Sequence, residues 1–108
     1  MSTPQADPKE KWEQMLQLYN QLLQIEYSPV AALNRTFALA KVNGKPEAIE
    51  AAEKLSLTNS RFYFALLGEL YNGIDNNRSA ENFNKALLMA KSLAERQSIQ
   101  KKLDSLPV

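Results

Sequence analysis

The side chains that most often serve as general base, metal ligand or thiol nucleophile are missing from this sequence, which has no histidine and no cysteine in 108 residues. Without cysteine no disulfide framework or thiolate metal site can form. The carboxylates Glu47, Glu50 and Glu53 recur at three-residue spacing, which puts them on one helix face, and Lys54 follows Glu50 by four. That pattern is a solvated, ion-paired face rather than an acid/base pair. Ser28, Ser60 and Ser92 each stand just before an apolar run and read as helix caps. Asp75-Asn76-Asn77 starts like a calcium loop, but Ala80 occupies the glycine position and Ala86 the position of the bidentate glutamate. Asn34-Arg35-Thr36 and Asn77-Arg78-Ser79 match the glycosylation pattern, which matters only for a secreted chain. No catalytic, metal or cofactor residue is assigned, and the expectation is a protein that is not an enzyme.

Four residues remain as candidates for binding a partner. Asn34 and Arg35 sit beside Leu33 and Phe37, where polar groups must be paired if they are buried. Either Asn34 bonds the backbone of a neighbouring helix and Arg35 reaches Glu26 or another acid, or Arg35 lies in a groove that takes a partner. Tyr63 and Tyr71, like Tyr19 and Tyr27, either pack between helices with wet hydroxyl ends or line a peptide cleft. Thirteen basic and twelve acidic side chains give a net charge of +1, too little to attract nucleic acid or anionic lipid in general. Lys85, Lys91, Arg96, Lys101 and Lys102 face only Glu95 across 85–102, a local excess that suits a solvated face near helix ends. Direct DNA contact is not expected.

These residues must be positioned by helices, because apolar residues recur at three- and four-residue steps and strand alternation is absent. Asp7-Pro8-Lys9-Glu10 is a capping box with proline in the first turn. From it Trp12, Met15, Leu16, Tyr19, Leu22 and Leu23 predict a helix to about residue 26. Tyr27-Ser28-Pro29 breaks and restarts the chain. A second helix carries Val30, Leu33, Phe37 and Ala40 on one stripe and stops at Asn43-Gly44. Pro46 opens a third, with Ala48, Ile49, Ala52 and Leu55 inward. The fourth spans about 61–72 and is apolar around most of its circumference, which predicts the central position. A turn over 73–77 leads to a fifth at about 78–91, built on Ala80, Phe83, Ala86, Leu87 and Ala90. A second capping box, Ser92-Leu93-Ala94-Glu95, starts a sixth that uses Ile99, Leu103 and Leu106 before Pro107. The expected fold is all-α, three stacked antiparallel helical hairpins over 8–107 in a single domain, after a flexible tail at 1–7.

Two motifs carry resemblances. Leu67-Gly68-x-x-Tyr71 followed by Ser79-x-x-x-Phe83-x-x-Ala86-Leu87 is similar to a tetratricopeptide repeat, a helical pair of about 34 residues, with Gly68 and Ala86 allowing close approach and serine where the repeat prefers alanine. Trp12-x-x-Met15-Leu16-x-Leu18-Tyr19-x-x-Leu22-Leu23 and then Ser28-Pro29-Val30-x-Ala32-Leu33-Asn34-Arg35-Thr36-x-Ala38-Leu39-Ala40 resemble the C-terminal tetratricopeptide-like extension of certain bacterial extracytoplasmic-function sigma factors. The Arg61 to Gly68 segment, Ala86-Leu87 and Ala94-Glu95-Arg96 extend the likeness over most of 12–103. The turn at 72–77 departs from it, since the family usually has a basic Leu-Gly-Arg turn there.

The resemblance implies a TPR-like α-α superhelix and a regulatory role in transcription initiation. The implied partners are proteins: the catalytic regions of a sigma factor, RNA polymerase or a regulator. The polymerase-binding helices and the promoter-reading helix-turn-helix of such factors have no counterpart in these residues. The rival expectation is a generic scaffold that binds a peptide or a copy of itself, unrelated to transcription. With no apolar run near the roughly 20 residues needed to cross a bilayer, and no secretory pattern at the start, a cytoplasmic setting and no membrane contact are expected.

Overall fold

A computed structural model describes residues 8–107, which form six α-helices and, among the described residues, no strand. They are α1 (Pro8–Ile25), α2 (Pro29–Asn43), α3 (Lys45–Leu55), α4 (Arg61–Tyr71), α5 (Asn76–Met89) and α6 (Leu93–Asp104). The all-α expectation holds. The tail at 1–7 and the Asp7 cap lie outside the described residues.

The helix boundaries follow from cap chemistry. Ser28, Ser60 and Ser92 all have extended backbone angles and accept hydrogen bonds from the N–H groups of Ala31, Tyr63 and Glu95, three residues on. Each satisfies one of the donors that a helix start leaves unpaired. Glu95 returns the contact, but to the N–H of Lys91 rather than to that of the cap itself. The fifth helix starts two residues earlier than its apolar pattern indicates. Asp75 is its cap, accepting from the Arg78 N–H, while Asn76 Oδ1 accepts from the Gly73 N–H. The would-be calcium motif is thus turn chemistry. Gly44 reverses the chain in a single residue with φ 98°, and its N–H closes α2 on the Ala40 carbonyl. A side chain would be strained at that angle.

Connections this short fold each helix back onto the one before, so the chain packs as a sequential stack, with α2 also touching α4. The turns before α2, α4 and α6 gather at one end: Pro29 shares a surface pocket with residues 56–60, and Arg61 pairs with Glu95. At the other end Lys45 Nζ donates to the Asn72 carbonyl oxygen. The result is a slab of 43 × 36 × 27 Å with a radius of gyration of 15.1 Å. A compact domain of this length would have about 13 Å. A stack that grows in one direction exceeds that value because each helix touches mainly its neighbours.

The core is centred on α4, as its apolar girth predicts. Tyr63, Phe64, Leu67, Leu70 and Tyr71 pack with Leu33 of α2, Ala48, Ile49 and Ala52 of α3, and Ala86 of α5. The most extensive helix contact is α4 on α5. A Cβ at Gly68 would stand 2.7 Å from the Phe83 ring, so only glycine lets the ring lie against the backbone. Ser79, where the repeat prefers alanine, is fully buried, and its hydroxyl donates to the Gly68 carbonyl at 2.6 Å.

The single stripe expected on α2 is corrected. Ala31, Ala32, Leu33, Thr36, Ala38 and Leu39 are its buried residues, while Val30 is exposed and Phe37 turns to α1. Because α2 contacts α1, α3 and α4, its buried positions run around the helix, and small alanines allow that crowding. The Thr36 hydroxyl satisfies itself on the Ala32 carbonyl. None of α1 is buried; it rests on α2 by one side, with Trp12 edge-on to Phe37 at 5.5 Å.

Candidate functional site

Two grooves lie on different faces of the stack. The first crosses α2, α4 and α6. Val30, next to Pro29 in the first turn of α2, and Phe62, two residues after the Ser60 cap of α4, are both exposed. Val30, Leu33, Asn34 and Phe62 enclose a hollow of about 260 Å³. Past Phe62 a second hollow of about 260 Å³ continues over Ala65 to Ser98 and Ile99 of α6. Its charges are neutralised in pairs: Arg61 with Glu95, and Lys102 with Glu69. The Arg61 hydrogen bond, helped by the Lys91 N–H, holds the Glu95 carboxyl below its ordinary value. The Arg61 guanidinium also lies 4.4 Å from the centre of the Phe62 ring. The surface is therefore an apolar trough with an ion-paired rim, suited to a side chain or helix from another protein.

The second groove, about 550 Å³, lies over α3, α4 and α5, with Tyr63, Phe64 and Tyr71 as its aromatic floor. The Tyr71 hydroxyl donates to Glu53 Oε1 at 3.0 Å and accepts from Arg78 Nη1 at 3.4 Å. Arg78 pairs with Asp75 at 3.5 Å and covers the Tyr71 ring, while Lys85 covers Phe64. Burial raises the pKa of both Tyr63 and Tyr71, and the Glu53 carboxylate adds to the effect. Both phenols thus stay protonated at neutral pH and offer hydrogen bonds, not bases. The chain's own cations already cap the aromatic faces, so this groove is a structural clasp between three helices more than an open cleft.

The four residues singled out in the sequence do not converge. Asn34 lies exposed on the first groove and makes no bond to a neighbouring helix backbone. Arg35 points elsewhere: its Nε donates to Asn20 Oδ1 of α1, not to Glu26 or another acid, beside a shallow hollow edged by Glu47 and Glu50 of α3. Tyr63 and Tyr71 belong to the second groove. Adjacent helical positions diverge by about 100°, which is why a sequence pair such as Asn34-Arg35 serves two surfaces.

Phe62, Glu53 and Arg78 were not recognised as site residues from the sequence. Phe62 sits in a helix apolar all round, where nothing marks the exposed member; Glu53 looks like the third residue of an acidic face, yet only Glu50 pairs with Lys54 there. The basic excess at 85–102 does not form one patch, since Lys85 lies on the second groove and Lys102 is tied to Glu69 at the first. Among the described residues, no group of three or more acidic side chains is placed to hold a metal ion, and no helix is long and apolar enough to cross a membrane.

No family model matches the chain, and no solved structure matches it. Among curated proteins it is similar to an uncharacterized protein of Rhizobium meliloti, 32% identical over 98 residues, which cover 88% of this chain and 23% of that protein. The chain spans about a quarter of the length of the curated relative that it matches.

Proposed function

We propose that this chain is a non-catalytic protein-interaction domain that acts in the cytoplasm on bacterial transcription initiation, in the manner of the extension that extracytoplasmic-function sigma factors carry. Its partner is a protein surface: the catalytic regions of the sigma factor, RNA polymerase or a regulator. The observation that carries the reading is the trough across α2, α4 and α6. Its α2 wall is built by Val30, Leu33 and Asn34, which belong to the segment that resembles those extensions. Ala32 and Leu33 of that segment serve the core, whereas Val30 and Asn34 are exposed. The similarity to a chain about four times longer agrees with a domain that works beside others.

The test is run-off transcription with a full-length sigma factor carrying this domain, comparing the parent with Phe62→Glu and Asn34→Ala. Phe62 is exposed, so Phe62→Glu should keep its helical circular dichroism while changing promoter output or its regulation. Deletion of the whole domain without effect on activity or regulation would sink the proposal. Binding of a peptide in the trough with transcription unchanged would favour the scaffold reading instead.

A further inference from the structure

We propose that Asn72, in the turn between α4 and α5, is a self-modification site that converts to aspartyl and isoaspartyl residues, and that Lys45 and Asn76 hold it in check. The proposal stands apart from any role in transcription. Asparagine is among the thermolabile side chains, and a glycine after it leaves the next backbone nitrogen open to its side-chain carbonyl. The chain has two such pairs, Asn43-Gly44 and Asn72-Gly73.

The two pairs are held in different ways. Asn43 is the last residue of α2, and Gly44 caps α2 and α3 together. The Gly44 N–H donates to the Ala40 carbonyl at 3.0 Å, and the Gly44 carbonyl accepts from the Ala48 N–H at 3.4 Å. Releasing Gly44 would fray two helix ends at once. In the other pair the Tyr71 carbonyl accepts from the N–H groups of both Ile74 and Asp75 at 2.8 Å, so the main-chain bonds close across the turn and bypass the Asn72–Gly73 peptide unit. Side chains hold that unit instead. Lys45 Nζ donates to the Asn72 carbonyl oxygen at 2.8 Å, and the Gly73 N–H donates to Asn76 Oδ1 at 2.9 Å. Gly73 is exposed, and a Cβ placed on it would meet nothing within 4 Å, so the unit has room to rotate once those bonds open.

At ψ 121° for Asn72 the Gly73 nitrogen is turned away from the side-chain amide. Rotation about that angle must precede reaction, and it breaks both side-chain bonds. The Gly73 nitrogen then gives its proton to hydroxide and bonds to Asn72 Cγ. The Cγ–Nδ2 bond breaks, and the amide leaves as ammonia with a proton taken from water. Water opens the resulting cyclic imide at either carbonyl, giving aspartate or the isoaspartyl isomer, in which the former side chain carries the main chain. Either product adds one carboxylate to the present twelve, so against thirteen basic side chains the net charge of +1 falls to zero. The isoaspartyl form also lengthens the connection between the two most extensively packed helices.

The 108-residue chain is held in mildly alkaline buffer, and peptide mapping by mass spectrometry follows the exchange of NH2 for OH at each asparagine. Conversion at Asn72 should run ahead of conversion at Asn43, and Asn72→Gln should abolish it at that position. Asn76→Ala and Lys45→Met each remove one bond and should speed conversion at Asn72 by about fivefold, the factor that one net hydrogen bond is worth, with circular dichroism unchanged. Asn76→Ala should leave Asn43 at its native rate, which separates opening of this turn from general unfolding. Conversion at Asn43 that matches or exceeds that at Asn72 overturns the proposal, as does either variant leaving the Asn72 rate as it was.

Discussion

The α4–α5 crossing and the α1–α2 crossing join neighbouring helices by short turns, yet they are built on opposite plans. At the first, a glycine backbone receives an aromatic ring, a buried hydroxyl satisfies the carbonyl beneath it, and Ala86 is fully covered. At the second, large side chains meet, with Trp12 edge-on to Phe37, and every residue of α1 keeps part of its surface in water. Small residues at a crossing let backbones approach until little can move. Large ones on a flanking helix spread the contact and leave the outer side for another surface. The centre of this stack is closely packed around α4, and α1 at its edge keeps Leu18, Leu22 and Ile25 in water.

The contrast can be broken at its strong end. Phe83→Ala should cost about 3–5 kcal/mol, enough to approach the whole stability of a small domain, measured by urea unfolding. Gly68→Ala should lose about 2 kcal/mol despite better helix propensity, since the new methyl meets the ring of Phe83. Adding Phe83→Leu should recover part of that loss if ring contact is the cause. At the weak end, Trp12→Ala should cost about 1.5 kcal/mol, half of what a buried aromatic loses. Native-state hydrogen exchange should show that loss confined to α1. Ser79→Ala should cost about 1 kcal/mol by removing the bond to the Gly68 carbonyl.

The smallest effect is on pH, and it separates the two grooves. Glu95 is depressed below 4.5 by Arg61, so its contribution is complete above 4.5 and is lost as pH falls through the folded value. Loosening of α6 in acid should be absent in Arg61→Gln. Tyr63 and Tyr71 are raised above 10.0 by burial, so their contribution is intact below that pH and is lost as alkali titrates them. Tyrosine absorbance and circular dichroism should therefore change together above about pH 10.

The sequence by itself determined the six helices and most of their limits, because serine caps, prolines in first turns and glycine stops act through groups only a few residues away. It also marked α4 as central and Gly68 with Ala86 as the place where two backbones approach, while the Phe83 ring lying against Gly68 came from the structure. Local chemistry gave no means of deciding which side of an apolar helix would face water. Phe62 and Phe64 look alike in the sequence, yet one lines a trough and the other the core. The fifth helix began early because Asp75 caps better than the apolar pattern suggests. Asn34 and Arg35 parted, Glu53 crossed to Tyr71, and α1 kept a second apolar row exposed, all through the angles at which whole helices meet. Those angles depend on side-chain volumes distant in the chain, which no spacing along a single helix records.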